Sequence, residues 1–249
     1  SIYFYLLYRL SSTNAAFSFF YYLSVLFFPL ALLSKESGIL LPAFIGICDF
    51  VLLNPRKTFP QRILIILRAI WPFAVIAIIY ILLRATKLNF VNTFNFYNED
   101  TEFTSNHWLR LLNFFQVLQI YFGLLFCPYD LRVERILEIP KTFFQPAVAF
   151  GGTLFTSLIA AAFYNWKKRP VVTFGILWFF VGLILTSNLF VAINALVYEH
   201  FLYVPIIGIT VILVWLILEA THRHGLKKTA TKAFILLIVV YSLLSVKRI

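Results

Sequence analysis

Long apolar segments make up most of this chain and limit it to the folds that a lipid bilayer accepts. A hydrocarbon core about 30 Å thick is crossed by about 20 helical residues. Apolar segments of about this length, with one partial segment at the start, lie at residues 1–8, 15–33, 37–53, 63–83, 146–164, 171–193, 202–218 and 233–246. Only 12% of the residues are charged, against about a quarter in soluble domains. We therefore predict an all-α, polytopic helical membrane protein in which residues 1–249 form a single transmembrane domain.

The charged residues between these segments are sorted by sign. The basic loops contain Arg9, residues 54–57 with Arg62, residues 167–170 and residues 222–232. Because cytoplasmic loops are enriched in Lys and Arg, these loops are expected on the cytoplasmic side of a bilayer. The outer side then holds eight of the ten acids, namely Glu36, Glu99, Asp100, Glu102, Asp130, Glu134, Glu138 and Glu199. The basic residues form no stripe with interleaved aromatics, so the sequence does not predict nucleic-acid binding.

Residues 109–126 do not fit a simple alternation of cytoplasmic and outer loops along the chain. They are apolar enough to cross the bilayer. A crossing, however, would carry the loop 127–145 to the cytoplasmic side and undo the separation of acidic outer loops from basic cytoplasmic loops. Arg110, Asn113 and Gln116 recur every three positions, which gives a helix with one wet, polar sector. We predict that the segment does not cross, and that it lies in the outer interface or dips in and returns. The alternative is a full span with Arg110 at its outer end.

Lys35 and Glu36 lie in the outer turn 34–37 between two apolar segments. So short a turn keeps both charges at the membrane surface, where a lysine can bind a lipid-borne phosphate. The helix that begins at Ser37 offers free N–H groups to the same anion. The alternative is a hairpin whose two charges form an ion pair.

The loop 127–145 carries a second charge group, formed by Asp130, Arg132, Glu134 and Arg135. Two arginines three residues apart can clamp a phosphate by forked hydrogen bonds while the carboxylates orient them. The same four residues could equally satisfy one another as a surface network.

Glu199 and His200 form a third group at the outer mouth of a span. A carboxylate beside an imidazole, which titrates near neutral pH, could relay a proton or hold a sugar hydroxyl. Adjacent helical residues point about 100° apart, however, so a neighbouring Glu-His pair usually has a structural role. Two other charges adjoin apolar segments: Asp49 is expected to pair with the basic turn 54–57, and Arg84 to extend outward towards a phosphate.

The sequence carries no signature of a bound metal or nucleotide. Cys48 and Cys127 lack the spacing of a metal site or a disulfide framework. No phosphate-cradling glycine loop, nucleophile elbow or zinc motif is present. We predict no cofactor, and a divalent metal is left open without support from any residue pattern.

Three motifs follow one another along the chain: Leu-Leu-Ser-Lys-Glu-Ser-Gly-Ile at 32–39, Pro-x-x-Leu-x-x-x-Arg at 128–135, and Tyr-Glu-His-Phe-Leu-Tyr-Val-Pro at 198–205. Together they resemble the latter membrane half of GT-C fold glycosyltransferases of the transmembrane and tetratricopeptide-repeat O-mannosyltransferase type, including their bacterial relatives. The resemblance covers roughly residues 20–249. It implies a GT-C-like helical bundle of which this chain is the C-terminal membrane half.

The resemblance also implies an activity. The enzyme would take a sugar, a mannose-like hexose, from a polyprenyl-phosphate donor and pass it to a hydroxyl of a protein or glycan acceptor. The reaction would occur at the extracytoplasmic face of a bacterial inner membrane or of the endoplasmic reticulum. The implied substrate-binding residues are Lys35, Glu36, Arg132, Arg135, Glu199, His200 and Tyr203.

Their implied roles follow the order of the motifs. Lys35 and Glu36 would lie in the donor-phosphate region. Arg132 and Arg135 would border the site from the outer loop. Glu199 would correspond to the glutamate of the family's Glu-Arg-Tyr-Leu-Tyr-like motif.

Two features depart from the family's pattern. His200 stands where an arginine is usual, so a titratable group replaces a permanent cation. The acidic first outer loop, which supplies the family's catalytic carboxylate, would precede Ser1, so no catalytic residue is assigned within the chain. The chain is expected to be an internal fragment, and its end at 245–249 resembles the stub after which tetratricopeptide repeats begin.

A transporter or flippase for lipid-linked or anionic solutes is the alternative function. It predicts charges near the bilayer midplane, interrupted helices and inverted repeats. The apolar segments carry almost no midplane charge, which favours the enzyme. A noncatalytic membrane scaffold is a third function that the sequence leaves open.

Overall fold

The computed structural model describes most of the chain. The described residues are 1–11, 14–53, 57–86, 102–126, 128, 131–135, 137–190, 192–193, 196–224, 232, 235, 239 and 242. Most of them are helical, and the β-structure among them includes one short antiparallel pair of strands. These observations confirm the predicted all-α class. The predicted span 233–246 lies almost wholly outside the described residues.

Five helical segments of the described chain are long and apolar enough to cross a bilayer. They are Glu36–Leu53, Phe59–Arg84, His107–Phe126, Pro146–Asn165 and Pro205–His222. Two shorter apolar helices, Phe19–Ser34 and Pro170–Leu183, accompany them. By length and composition, these segments support the prediction of an integral membrane protein.

The helices are numbered in chain order. They are α1 (Ile2–Leu10), α2 (Asn14–Ser34), α3 (Leu41–Ile47), α4 (Phe59–Thr86), α5 (Glu102–Ser105), α6 (His107–Phe126), α7 (Pro146–Asn165), α8 (Pro170–Leu183) and α9 (Pro205–His224). A 3₁₀ turn, Glu36–Leu40, precedes α3, and a π-helical turn, Cys48–Leu53, follows it. Pro42 lies in the first turn of α3, where its missing N–H costs no helical hydrogen bond. The segment Glu36–Leu53 is therefore built from three helix types.

The predicted span at residues 171–193 is wrong in its second half. Helix α8 ends at Leu183, and its 14 residues give a length of about 21 Å, which is less than the hydrocarbon core. The chain then turns, because the N–H of Thr186 donates to the carbonyl of Leu183 at 3.0 Å. Asn188 has a φ of 58°, a left-handed conformation that asparagine tolerates. Its side-chain oxygen accepts a hydrogen bond from the N–H of Ile193 at 2.7 Å.

Glycines allow two pairs of helices to pack backbone against backbone. A Cβ added to Gly208 in α9 would collide with the carbonyl oxygen of Gly175 in α8. A Cβ added to Gly151 in α7 would collide with the carbonyl oxygen of Phe115 in α6. Membrane helices often pack through small residues, because the hydrophobic effect does not drive helices together within lipid.

Helix α6 packs against α7 and also contacts the chain at Tyr198. Phe115, in the middle of α6, packs against Gly151 in the second turn of α7. In the last third of α6, the hydroxyl of Tyr121 donates to the carbonyl of Tyr198 at 3.3 Å. The length and composition of α6 suit a full crossing, so the prediction that residues 109–126 do not cross stays a prediction.

The expectation of a wet sector on α6 is wrong for two of its three residues. Arg110 and Asn113 are only 4% and 0% exposed, and Gln116 is half-buried. Among the described residues, Arg110 Nε and both polar side-chain atoms of Asn113 lack a hydrogen-bond partner. The three-residue spacing correctly defines a face of the helix, but it does not say whether water or protein covers that face.

Helix α1 supplies partners for Asp49, and the predicted pairing with the basic turn 54–57 stays a prediction because residues 54–56 lie outside the described residues. The carboxylate is fully buried, with Oδ1 at 2.8 Å from Arg9 Nε, and it also accepts a hydrogen bond from the Tyr5 hydroxyl. Arg62, which follows the predicted basic turn, donates to the carbonyl of Phe50 at 2.9 Å. A buried carboxylate needs donors within hydrogen-bond distance, and helix α1 supplies them.

Replacing Gly208 by alanine is expected to lower the free energy of unfolding by about 1–3 kcal/mol. The added methyl group would force the backbones of α8 and α9 apart. Gly123→Ala is the matched control, because nothing lies within 4 Å of a Cβ added there, and it should be neutral or stabilising by up to about 1 kcal/mol. Thermal unfolding in detergent compares the two variants. Equal losses of stability would contradict the close packing of α8 on α9.

Candidate functional site

A short antiparallel ladder brings two distant loops together. Strand β1 (Glu134–Arg135) pairs with strand β2 (Val197–Tyr198), with Arg135 opposite Val197. Val197 is fully buried and belongs to a hydrophobic core shared with α6, α8 and α9. The ladder therefore holds the loop after α6 beside the 3₁₀ turn Glu199–Leu202, which leads into α9. We call β1, β2 and this turn the loop cluster.

Glu199 connects the parts of the loop cluster. Its Oε1 atom lies 3.7 Å from Arg135 Nη2, and it accepts a hydrogen bond from the backbone N–H of Arg132. In the same cluster, burial and the neighbouring Glu134 carboxylate raise the pKa of the Tyr198 phenol. The predicted clamp of two arginines is thus altered, since Glu199 engages Arg135 and the Arg132 backbone.

A cavity of about 320 Å³ lies between the turn at Lys35 and the loop cluster. Lys35 and Glu36 line it from one side, and His200 and Tyr203 line it from the other. The chain after α8 contributes Thr186. We call this space the site cavity. It places a cation, a carboxylate, an imidazole and a phenol where a single ligand can contact them.

Lys35 supplies the cationic group of the site cavity. Its neighbour Glu36 is bound to Arg84, with Arg84 Nη2 at 2.7 Å from Glu36 Oε1. Arg84 also donates to the hydroxyl of Tyr80 at 2.8 Å. Within the described part of the chain, Lys35 has no ion pair of its own. The outer turn is therefore not closed by an internal ion pair, and Arg84, which was expected to extend towards a phosphate, neutralises Glu36.

His200 faces this cation across the site cavity. Burial and the positive charge of Lys35 lower the pKa of His200 below its ordinary value of 6.5, so the imidazole is mostly neutral at pH 7. Aromatic rings surround it, with ring centroids at 5.2 Å for Tyr198 and 6.5 Å for Tyr203. A neutral imidazole can both donate and accept a hydrogen bond, and this suits a ligand with hydroxyl groups.

The seven residues predicted to bind substrate divide into two sets. Lys35, Glu36, His200 and Tyr203 line the site cavity. The other set contains Glu199 and Arg135 of the adjoining loop cluster, with Arg132, whose backbone is bonded to it.

Sequence reasoning missed two residues that line the site cavity. Thr186 was placed inside the predicted span 171–193, although the polar string Thr-Ser-Asn at 186–188 is a turn signal that could have located it. Tyr198 begins the motif at 198–205, and the sequence assigns it no role. Its position next to the cavity depends on the pairing of β2 with β1.

The described residues contain no group of three His, Cys, Asp or Glu side chains that could hold a metal ion. Three acids of the predicted outer face, Glu99, Asp100 and Asp130, lie outside the described residues. The structure therefore adds no support for a metal at the site cavity.

Comparison with known proteins finds no match. No protein-family model matches the chain, and no curated protein or solved structure is significantly similar to it.

Replacing Lys35 by glutamine is expected to raise the pKa of His200, because the cation that disfavours the imidazolium is removed. The rise should be partial, since burial, the larger cause, remains. A pH titration of the histidine Cε1 resonance by NMR measures the change. Lys141→Gln removes a cation from the exposed loop before α7 and should leave the titration unchanged. An unaltered His200 pKa in Lys35→Gln would contradict the proximity of the two groups.

Proposed function

We propose that this chain is part of an integral-membrane glycosyltransferase of the GT-C type. The enzyme moves a sugar, a mannose-like hexose, from a polyprenyl-phosphate donor to a hydroxyl of a protein or glycan acceptor at the extracytoplasmic face. One observation carries the proposal: the Lys35 ammonium lines a cavity with hydroxyl-binding side chains while the neighbouring acid, Glu36, is neutralised by Arg84.

The charge of Lys35 suits the chemistry of the donor. When a sugar leaves a polyprenyl phosphate, negative charge develops on the phosphate oxygens. A cation already held beside those oxygens stabilises that charge more in the transition state than in the bound substrate. Arg84 binds the Glu36 carboxylate at 2.7 Å. The Lys35 ammonium is therefore not paired with Glu36 and can interact with the ligand.

The remaining side chains of the site cavity suit a sugar. His200, neutral near pH 7, can bond a sugar hydroxyl as donor or acceptor. Tyr203 is 71% exposed and presents an aromatic face and a hydroxyl at the same cavity. These groups orient the hexose, while Lys35 binds the phosphate to which it is attached.

The loop cluster has a positioning role in this proposal. Glu199 joins Arg135 and the backbone of Arg132 to the turn that carries His200. The two arginines thereby set the position of one wall of the cavity. The general base that deprotonates the acceptor hydroxyl is not assigned to any described residue.

The proposal is tested by measuring sugar transfer from polyprenyl-phosphate mannose with the full-length protein in proteoliposomes. Lys35→Ala should lower kcat by about 100-fold, because a preorganised charge at the leaving group is lost. Lys35→Arg should retain a larger share of the activity, since it keeps the charge. Lys141→Ala, which removes a cation outside the cavity, is the control and should transfer normally. Unchanged transfer by Lys35→Ala would contradict the proposed function.

A transporter or flippase for lipid-linked or anionic solutes remains the second candidate, and one observation favours it. Two apolar segments bury a charged residue near one end, since Asp49 and Arg110 are 0% and 4% exposed. Buried charges and interrupted helices such as Glu36–Leu53 are features of transporters. Flux of a lipid-linked sugar across proteoliposomes without sugar transfer would establish this function and exclude the enzyme.

A further inference from the structure

A second and larger cavity lies beside the first half of α4, whereas the turn at Lys35 and Glu36, which lines the site cavity, is bound to the other end of that helix. It measures about 500 Å³ and is enclosed by α1, α2 and α4. Its polar and aromatic lining includes Tyr5, Tyr8, Arg9, Tyr21, Tyr22 and Arg68. We call it the arginine–tyrosine cavity. We propose that it binds the phosphate of an anionic phospholipid from the leaflet at this end of the bundle, an inference that goes beyond the proposed transferase and does not depend on it.

The position of the cavity along the membrane normal follows from α4. Arg62 bonds the carbonyl of Phe50 near the start of α4, and Arg84 binds Glu36 near its other end. Arg68 is six residues beyond Arg62, and this places its Cα about 9 Å further along the helix. An arginine at that depth reaches the headgroup region of the nearer leaflet by extending its side chain.

The net positive charge of the cavity lining favours the binding of an anion. Two guanidinium groups, those of Arg9 and Arg68, line it. One carboxylate, Asp49, offsets Arg9 at 2.8 Å. Arg68 is exposed and forms no ion pair or hydrogen bond with any other described residue. A guanidinium beside hydrocarbon is costly without a partner, and a phosphate accepts two parallel N–H bonds from it.

Tyrosine hydroxyls complete the polar lining. The Tyr5 hydroxyl is occupied by Asp49, and that of Tyr21 donates to the carbonyl of Ala69 at 2.9 Å. Tyr22 is 68% exposed, and within the described chain its hydroxyl has no hydrogen-bond partner. Tyr22 of α2 and Arg68 of α4 therefore offer donors to a ligand in the cavity.

The surroundings favour a lipid over a soluble anion. Trp71, in the lining, is 62% exposed, and Leu67 beside it is 56% exposed. Both belong to the span Phe59–Arg84, of which only 17% of the most apolar window is buried within the protein. Acyl chains can therefore lie along α4 while the headgroup occupies the cavity. The net positive charge of the lining selects an anionic headgroup over a zwitterionic one.

The test uses delipidated full-length protein in detergent, to which phosphatidylglycerol, phosphatidylcholine or inorganic phosphate is added. Phosphatidylglycerol should raise the thermal midpoint and remain bound in native mass spectrometry, and the other two additions should not. Arg68→Gln should weaken phosphatidylglycerol binding by about tenfold, the loss of one charge-assisted contact. Arg68 makes no bond within the described structure, so this variant is expected to fold.

Lys167→Gln is the matched control, because Lys167 is an exposed cation of a basic loop outside the cavity. It should bind phosphatidylglycerol as the unmodified protein does. Equal binding by Arg68→Gln and the unmodified protein would overturn the proposal, as would an equal loss in both variants, which indicates a diffuse surface effect. Equal stabilisation by inorganic phosphate would replace the lipid by a soluble anion and would also overturn it.

Discussion

The arrangement of this molecule depends on one constraint: a charged side chain next to hydrocarbon must find a partner or reach an interface. Helix α4 satisfies it at both ends. Arg62 bonds the carbonyl of Phe50 at 2.9 Å, and Arg84 binds Glu36 at 2.7 Å. The two arginines are 22 positions apart, a rise of about 33 Å along the helix, which is close to the thickness of a hydrocarbon core. The two contacts tie the ends of α4 to the two ends of the segment Glu36–Leu53.

The same constraint decides which charges are available to a ligand. Arg84 and Arg135 are bound to Glu36 and Glu199 respectively, so these two arginines support the walls of the site cavity. Lys35 has no such partner among the described residues, and its charge is directed at the cavity itself. A sequence that shows only the order of charges cannot separate the supporting cations from the one that faces a ligand.

Local patterns in the sequence predicted the helices well, and contacts between distant residues account for most of the errors. Hydropathy located α4 and α7 within a few residues, because a span requires about 20 apolar residues in succession. It overextended α8, since the polar turn at Thr186 is short and is averaged into the surrounding apolar run. The ion pair of Asp49 with Arg9 was missed for another reason: Arg9 lies 40 positions earlier in the chain, and nothing in the local pattern connects the two. The loop cluster depends on a comparable long-range pairing of β1 with β2.

The histidine at position 200 has a physical consequence for the proposed donor site. An arginine at this position would place a second permanent cation opposite Lys35. A neutral imidazole avoids that repulsion at pH 7, because burial and Lys35 lower its pKa. A bound phosphate has the opposite effect on the pKa of His200, because a nearby anion favours the imidazolium and raises that pKa. By linkage, protonation of His200 then strengthens the binding of the anion. Affinity for the donor phosphate should therefore rise as the pH falls through the pKa of His200, a dependence that an arginine at this position would not produce.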